Sequence, residues 1–302
     1  MKVDFVTCDV FTSRPFAGNP LLVVPDARGL TTSGMQAIAR EINYSESTFV
    51  LPPDNPRHAY RQRTFVPFKE IPYAGHPTVG TAVVMAAEGR IGTRGGEIDG
   101  RILVEVGFGA LELDLIREAG AVRRVRMSQG APAWEEPVMD GDLRKRFARA
   151  LGLSKDALHA ALPPQVVSTG NRTLAIPLAS VADVSAAVAD VPTLNSLERD
   201  LDVLIAYLFA FDGGRIRARA FCPGAGVPED PATGSAAGPL GVYLALHGAL
   251  PGGSPRFVID QGIEMGRPSE IEVTAERDGA GRPTGVRVAG SAVPMMRGSL
   301  EV

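Results

Sequence analysis

Cysteine is nearly absent from this chain: Cys8 and Cys222 are the only two in 302 residues, one in each half, and no Cys-x-x-Cys occurs. That pattern gives no disulfide framework and points to a reducing, cytoplasmic setting. Histidine is scarce too. His58, His76, His159 and His247 form no His-Glu-x-x-His motif and no Cys/His cluster, so no metal is expected. The net charge of −3 comes with no basic stripe, which removes the electrostatic basis for a nucleic-acid partner or an anionic membrane surface. No apolar run approaches the roughly 20 residues that span a bilayer. Nothing like a signal peptide precedes the first strand-like run, Val3–Phe11. Phosphate-loop and serine-nucleophile motifs are missing. So is a glycine fingerprint within a βαβ alternation, which argues against a dinucleotide-binding fold.

What the chain has instead is one element built twice. His76-Pro77-Thr78-Val79-Gly80 opens one short apolar stretch and Asp230-Pro231-Ala232-Thr233-Gly234-Ser235 opens another. Each follows the same lead-in, Arg63-x-Phe65-x-Pro67 and Arg219-x-Phe221-x-Pro223, offset by 219 − 63 = 156 residues, about half the chain. A tandem duplication is the reading, with two domains of ~150 residues. The spacing places the domains at 1–127 and 128–288, near Gln129-Gly130-Ala131-Pro132, and leaves residues 289–302 open to return to the first. In each copy a polar residue precedes a proline, which suits an N-cap followed by the first helical position. The runs after these starts, Val79–Ala87 and Ala236–Leu246, are apolar on every side, and such a helix is buried all round. Each is expected as a core helix wrapped by strands, with free N–H groups at its mouth ready for a carboxylate. Pro239 inside the second reads as a late start or a kink.

Elsewhere, strands are expected at Val3–Phe11, Leu21–Val24, Ala59–Phe65, Ile102–Val106, Ala110–Ile116 and Val122–Met127. A helix is expected over Thr31 to Asn43, and Gly92–Gly100 reads as a turn-rich connector. The second half adds helical stretches at Gly141–Leu151, Ser154–Ala161, Val181–Ala189 and Thr193–Arg199. Strands there follow at Thr173–Leu178, Val203–Phe211 and Arg215–Phe221, with short strands out to Val288. Many short strands with few helices, doubled, give an α+β fold: two similar domains, each a barrel-like sheet around a central helix.

The groups near the helix mouths that handle protons are Glu46, His76, Asp230 and Ser235. A glutamate held among apolar neighbours has its pKa raised toward the range a general acid or base needs. Against that stand plainer readings: Glu46 as a solvated residue at a strand start, His76 and Asp230 as helix caps only. Cys8 and Cys222 read as small packing residues, since neither lies at a helix N-terminus.

Four segments carry a resemblance: Phe16-Ala17-Gly18-Asn19-Pro20, Ser45-Glu46-Ser47-Thr48-Phe49, Ala74-Gly75-His76-Pro77-Thr78-Val79-Gly80 and Glu229-Asp230-Pro231-Ala232-Thr233-Gly234-Ser235-Ala236. In order and spacing they resemble the PhzF family, the phenazine-biosynthesis isomerases and their relatives, over essentially the whole chain. The resemblance implies the diaminopimelate epimerase-like fold with the active site in the cleft between domains, and a small carboxylate as substrate. It makes Glu46 the catalytic acid/base, with His76, Asp230 and Ser235 lining the pocket and Gly75 and Gly234 leaving backbone groups open to ligand. It further implies that no metal or organic cofactor is needed, and a homodimer. In the phenazine enzyme a proton of trans-2,3-dihydro-3-hydroxyanthranilate moves from C3 to C1. Racemases of the same fold use two thiols. Ala74 and Pro231 stand near those positions here, which ranks two-thiol racemisation below one-carboxyl isomerisation. A non-catalytic protein that binds small carboxylates is the other alternative.

Overall fold

A computed structural model describes residues 1–91 and 100–302; most of the connector expected at Gly92–Gly100 lies outside the described residues. The chain divides into two compact units, Met1–Ser128 with Ala289–Val302, and Gln129–Val288.

The first unit opens with β1 (Lys2–Val10) and β2 (Asn19–Val24), then α1 (Thr32–Ile42), β3 (Glu46–Leu51), β4 (Tyr60–Val66), the short β5 (Lys69–Ile71) and α2 (Gly75–Ala87). Strands β6 (Gly100–Val106), β7 (Gly109–Glu118) and β8 (Ala121–Ser128) follow. α1 forms where Met35, Ile38 and Ala39 recur at helical spacing; Thr31 caps its start through Gly34 N–H, and Asn43 ends it in the left-handed region. The buried face of α1 lies on Leu22, Val24, Phe49 and Phe65. Pairing runs β1 to β2 antiparallel, β2 to β3 parallel, β3 to β4 antiparallel, β4 to β6 parallel, then β6 to β7 and β7 to β8 antiparallel. The last strand of the chain, Pro283–Glu301, pairs with both β1 and β8 and closes the ring at eight strands among the described residues. α2 fills that barrel. Every residue from Gly75 to Met85 is buried, so its apolar side chains have no solvent face. Burying Val79, Val83, Val84 and Met85 contributes about 1.5–3 kcal/mol each. Gly80 permits the fit, because a Cβ there would sit 2.6 Å from Leu21 Cδ2 and Val10 Cγ2.

The second unit contains β9 (Ala133–Trp134), α3 (Gly141–Ala150), β10 (Gln165–Ser168), β11 (Arg172–Pro177), α4 (Val181–Ala186), α5 (Val191–Asp200), β12 (Ile205–Asp212) and β13 (Arg215–Cys222). It continues through β14 (Val227–Asp230), α6 (Gly234–Leu246), β15 (Arg256–Gln261) and β16 (Ser269–Arg277) to the shared last strand β17 (Pro283–Glu301). Its pairing repeats that of the first unit step by step: β10 to β11 antiparallel, β11 to β12 parallel, β12 to β13 antiparallel, a short antiparallel β14, β13 to β15 parallel, and β15 to β16 antiparallel. α4 and α5 occupy the crossover that α1 makes in the first unit, and α6 is buried like α2. The duplication extends to side chains. Arg63 clamps Glu70 with both ends of its guanidinium and stacks 5.2 Å from the Phe65 ring centroid, while Arg219 clamps Glu229 and stacks 4.9 Å from Phe221. Each clamp ties a long strand to the short hairpin strand that leads into the core helix.

Three expectations are corrected. Ser154–Ala161 forms only one 3₁₀ turn at Lys155–Ala157, because His159 N–H and Ala179 N–H bond across to Pro177 O and Ala157 O and draw the segment onto β11's end. No strand is expected between Phe65 and the first core helix, and β5 forms there. After α6 the short strands β15 and β16 form as expected, but the last strand does not stop at Val288 and runs to Glu301.

Candidate active site

Glu46 is the first residue of β3 and pairs with Leu21 in the parallel ladder, so it stands at the barrel mouth where β1 ends and β2 begins. Its side chain is 18% exposed and faces the N-terminus of α2, with Oε2 lying 3.6 Å from His76 Nε2. That separation is too long for a hydrogen bond and short for an electrostatic contact. Glu46 Oε2 is buried and has no hydrogen-bond partner among the described residues. Burial pushes the carboxyl pKa up to about 7, and a hydrogen bond from Ser45 pulls it back in part. A solvated glutamate at a strand start is therefore excluded. Ser45 Oγ also lies 3.3 Å from Asn19 Oδ1, so its one proton serves either acceptor, one at a time. Asn19, buried at the start of β2, places its Nδ2 3.3 Å from His76 Nδ1.

His76 is not the helix cap that its proline suggests. α2 begins at Gly75, with Ala74 extended as N-cap (φ −149°, ψ 147°), His76 in the first turn and Pro77 behind it. A proline is tolerated two positions further in because that N–H also lacks an intrahelical partner. No side chain caps α2, and Gly75 and His76 bring their N–H groups to the mouth.

The second mouth shows the same departure. α6 starts at Gly234 with Thr233 as N-cap, and Asp230 ends β14 instead of capping. The Thr233 hydroxyl donates to Asp230 Oδ2, and Gln261 Nε2 donates to Asp230 O at 2.7 Å and to Thr233 Oγ1 at 2.9 Å. Gln261 Oε1 in turn accepts from Thr233 N–H at 3.2 Å and from buried Tyr207 at 2.9 Å. Ser235, half-buried, and Gly234 occupy the uncapped first turn. Among the described residues the four other α-helices are each capped by a side chain, Thr31, Asp140, Ser180 or Asp190. α6 passes through Pro239 with its start five residues earlier, which rules out the late start.

The structure thus gathers Glu46, His76 and Gly75 at one mouth and Asp230, Gly234 and Ser235 at the other, each within its own unit. Sequence reasoning passed over Asn19, although it lies in a quoted segment, and over Gln261, for which no local signal exists. Cys8 faces Gly80 of α2 inside the barrel, and burial raises its thiol far above the ordinary range. That is a packing thiol, not a base. No group of three or more His, Cys, Asp or Glu among the described residues is arranged to hold a metal ion. No helix among them is long and apolar enough to cross a membrane.

Known proteins resemble this chain over nearly its whole length. The family model for phenazine biosynthesis-like proteins, PhzC-PhzF, matches residues 8–298. A trans-2,3-dihydro-3-hydroxyanthranilate isomerase of Pseudomonas chlororaphis is 39% identical, over 98% of this chain and 98% of its own. Among solved structures, a PhzF-family phenazine biosynthesis protein of Bacillus anthracis superposes with a TM-score of 0.87 at 25% identity, over 100% of both chains. A predicted epimerase of Pseudomonas aeruginosa gives 0.82 at 33% identity, covering 99% of each. With the family model matching Cys8 to Gly298 and an isomerase 39% identical over 98% of the chain, the chain belongs to the PhzC-PhzF phenazine biosynthesis-like family and is an isomerase.

Proposed function

We propose that this isomerase moves a proton on a small cyclic carboxylate, trans-2,3-dihydro-3-hydroxyanthranilate or a close relative, with Glu46 as the single acid/base. The observation that carries the reading is the Glu46 carboxyl itself: buried, with one oxygen unpartnered, and raised to about 7. A group with that pKa is present in both forms at neutral pH, so it takes a proton from C3 as carboxylate and returns one to C1 as carboxylic acid. His76 Nε2, 3.6 Å from Glu46 Oε2, favours the carboxylate form that has to exist before the carbon proton is taken. The uncapped first turn at Gly75, and separately that at Gly234–Ser235, each supplies N–H donors and the positive end of a helix dipole, a setting suited to a carboxylate. Asp230 is assigned a substrate-facing role as hydrogen-bond acceptor. The reading carries with it a cytoplasmic location, a homodimeric state and chemistry without metal or organic cofactor.

The reading is tested by running the reaction on trans-2,3-dihydro-3-hydroxyanthranilate in deuterated water. Isomerised product, carrying deuterium at C1 to the extent that the Glu46 proton exchanges before return, supports it. No turnover of this compound or its close cyclic relatives counts against it.

A further inference from the structure

The segment Phe16-Ala17-Gly18-Asn19-Pro20 has no part in the chemistry above, yet the fold builds it under strain. Phe11 and Phe16 both adopt φ of 63°, and Gly18 has φ 68°. A Cβ at Gly18 would lie 2.2 Å from Val10 O, so only glycine fits. Phe16 N–H donates to the buried carboxylate of Asp9 at 2.8 Å, fixing the turn from within. The loop delivers Asn19 to the first position of β2 opposite Val10, where it is 1% exposed. Its amide then spans two residues of the site, Ser45 on one side and His76 on the other.

We propose that Asn19 is a positioning residue that holds His76 in the neutral tautomer with its proton on Nε2, so that His76 turns an N–H dipole toward Glu46 and is not a second base. The amide is placed with Oδ1 toward Ser45 and Nδ2 toward the ring. Ser45 Oγ lies 3.3 Å from Asn19 Oδ1 and donates to it when its proton is not turned to Glu46. An amide NH₂ only donates, so His76 Nδ1 accepts, and the neutral ring carries its proton on the other nitrogen. That nitrogen is the one 3.6 Å from Glu46 Oε2. Nδ1 is occupied by a donated hydrogen and takes no part in proton transfer. The opposite amide orientation would put the proton on Nδ1 and aim a lone pair at Glu46, a geometry that works only with Glu46 protonated. With the amide as placed, the imidazole N–H favours the carboxylate form, which has to exist before a carbon proton can be taken. The inference rests on the assignment of Glu46 as the acid/base, and one of its tests does not.

The direct test is the ¹⁵N spectrum of the full chain labelled in histidine, with His76 assigned by its loss in His76→Gln, recorded near pH 7. The expected pattern is an Nε2–H tautomer in the wild type and an Nδ1–H form in Asn19→Asp, whose carboxylate accepts where the amide donated. A wild-type ring protonated on Nδ1, or a tautomer unmoved by Asn19→Asp, overturns the proposal. The kinetic arm uses trans-2,3-dihydro-3-hydroxyanthranilate: Asn19→Asp, close to isosteric, is expected to lower kcat about 100-fold with KM nearly unchanged. Equal loss in both parameters, or none, contradicts it. Should the wild type fail to turn over this compound, the reading of the substrate falls while the spectrum still decides the role of Asn19.

Discussion

His76 Nε2 and Glu46 Oε2 face each other across 3.6 Å at the mouth of the first barrel, with the carboxyl buried enough to hold its pKa up at about 7. In the direction that begins with proton removal, only the carboxylate is competent. The fraction in that form, and with it kcat/KM, is expected to rise about tenfold per pH unit below 7 and to level off above it. A pH profile of the isomerisation measures this. An inflection near 4.5, where an ordinary glutamate titrates, would contradict the assignment.

The same raised pKa makes a statement about stability. Between about 4.5 and about 7 the unfolded chain has released the Glu46 proton and the folded one has kept it. The folded state binds more protons there, so its stability falls as pH rises, and the loss is complete above the folded value. Glu198 on α5 is the matched case outside the site: 6% exposed, accepting Gly224 N–H at 2.9 Å, and raised by burial to about 7. Glu46→Gln and Glu198→Gln are each expected to be more stable than wild type at pH 8 by up to ~3 kcal/mol and to lose that advantage by pH 4.5. Urea unfolding at the two pH values checks it, and Glu198→Gln should keep its turnover.

The two arginine clamps should differ in worth. Arg63 holds Glu70, which is 40% exposed on its side chain, whereas the Arg219 and Glu229 side chains are 10% and 18% exposed. Arg219 also donates to Val184 O and Ala187 O at the end of α4. Arg219→Met therefore strands a half-buried carboxylate and two carbonyls, and is expected to cost about 3–5 kcal/mol, against about 1 kcal/mol or less for Arg63→Met. Chemical denaturation of the two variants measures the difference.

Gly238 lies inside α6, where alanine is ordinarily the better helix former by about 1 kcal/mol. Here the order reverses. A Cβ would sit 1.8 Å from Gln129 Oε1, and Gln129 donates to Gly234 O at 2.8 Å while accepting from Thr169 at 2.6 Å. Gly238→Ala is expected to lower Tm, and pairing it with Gln129→Ala should recover part of the loss.

How far the molecule was legible from its residues depended on whether the deciding interaction was local. α1 could be placed at both ends because Thr31 and Asn43 act on their own neighbours. The buried core helices could be placed because apolar residues on every side leave one solution. The helix starts were misjudged by two or three residues, since a proline satisfies more than one position of a first turn, and Thr233 is chosen as cap by Gln261 from a distant strand. β17 was cut short because glycines and a proline punctuate it. Gly290 and Gly298 exist to admit the rings of Phe11 and Phe5, and Pro294 sits at the register shift opposite Thr7 and Cys8. Asn19 carries no marker of its own. It matters only once strand pairing has set it beside His76.

The most direct test of the account is Glu46→Gln assayed on trans-2,3-dihydro-3-hydroxyanthranilate, with binding followed separately by calorimetry. The amide keeps the shape of the side chain and removes the base. The account requires turnover to fall by at least about 100-fold while the substrate still binds. Turnover near the wild-type rate in Glu46→Gln would contradict it and move the acid/base role to His76 or Asp230.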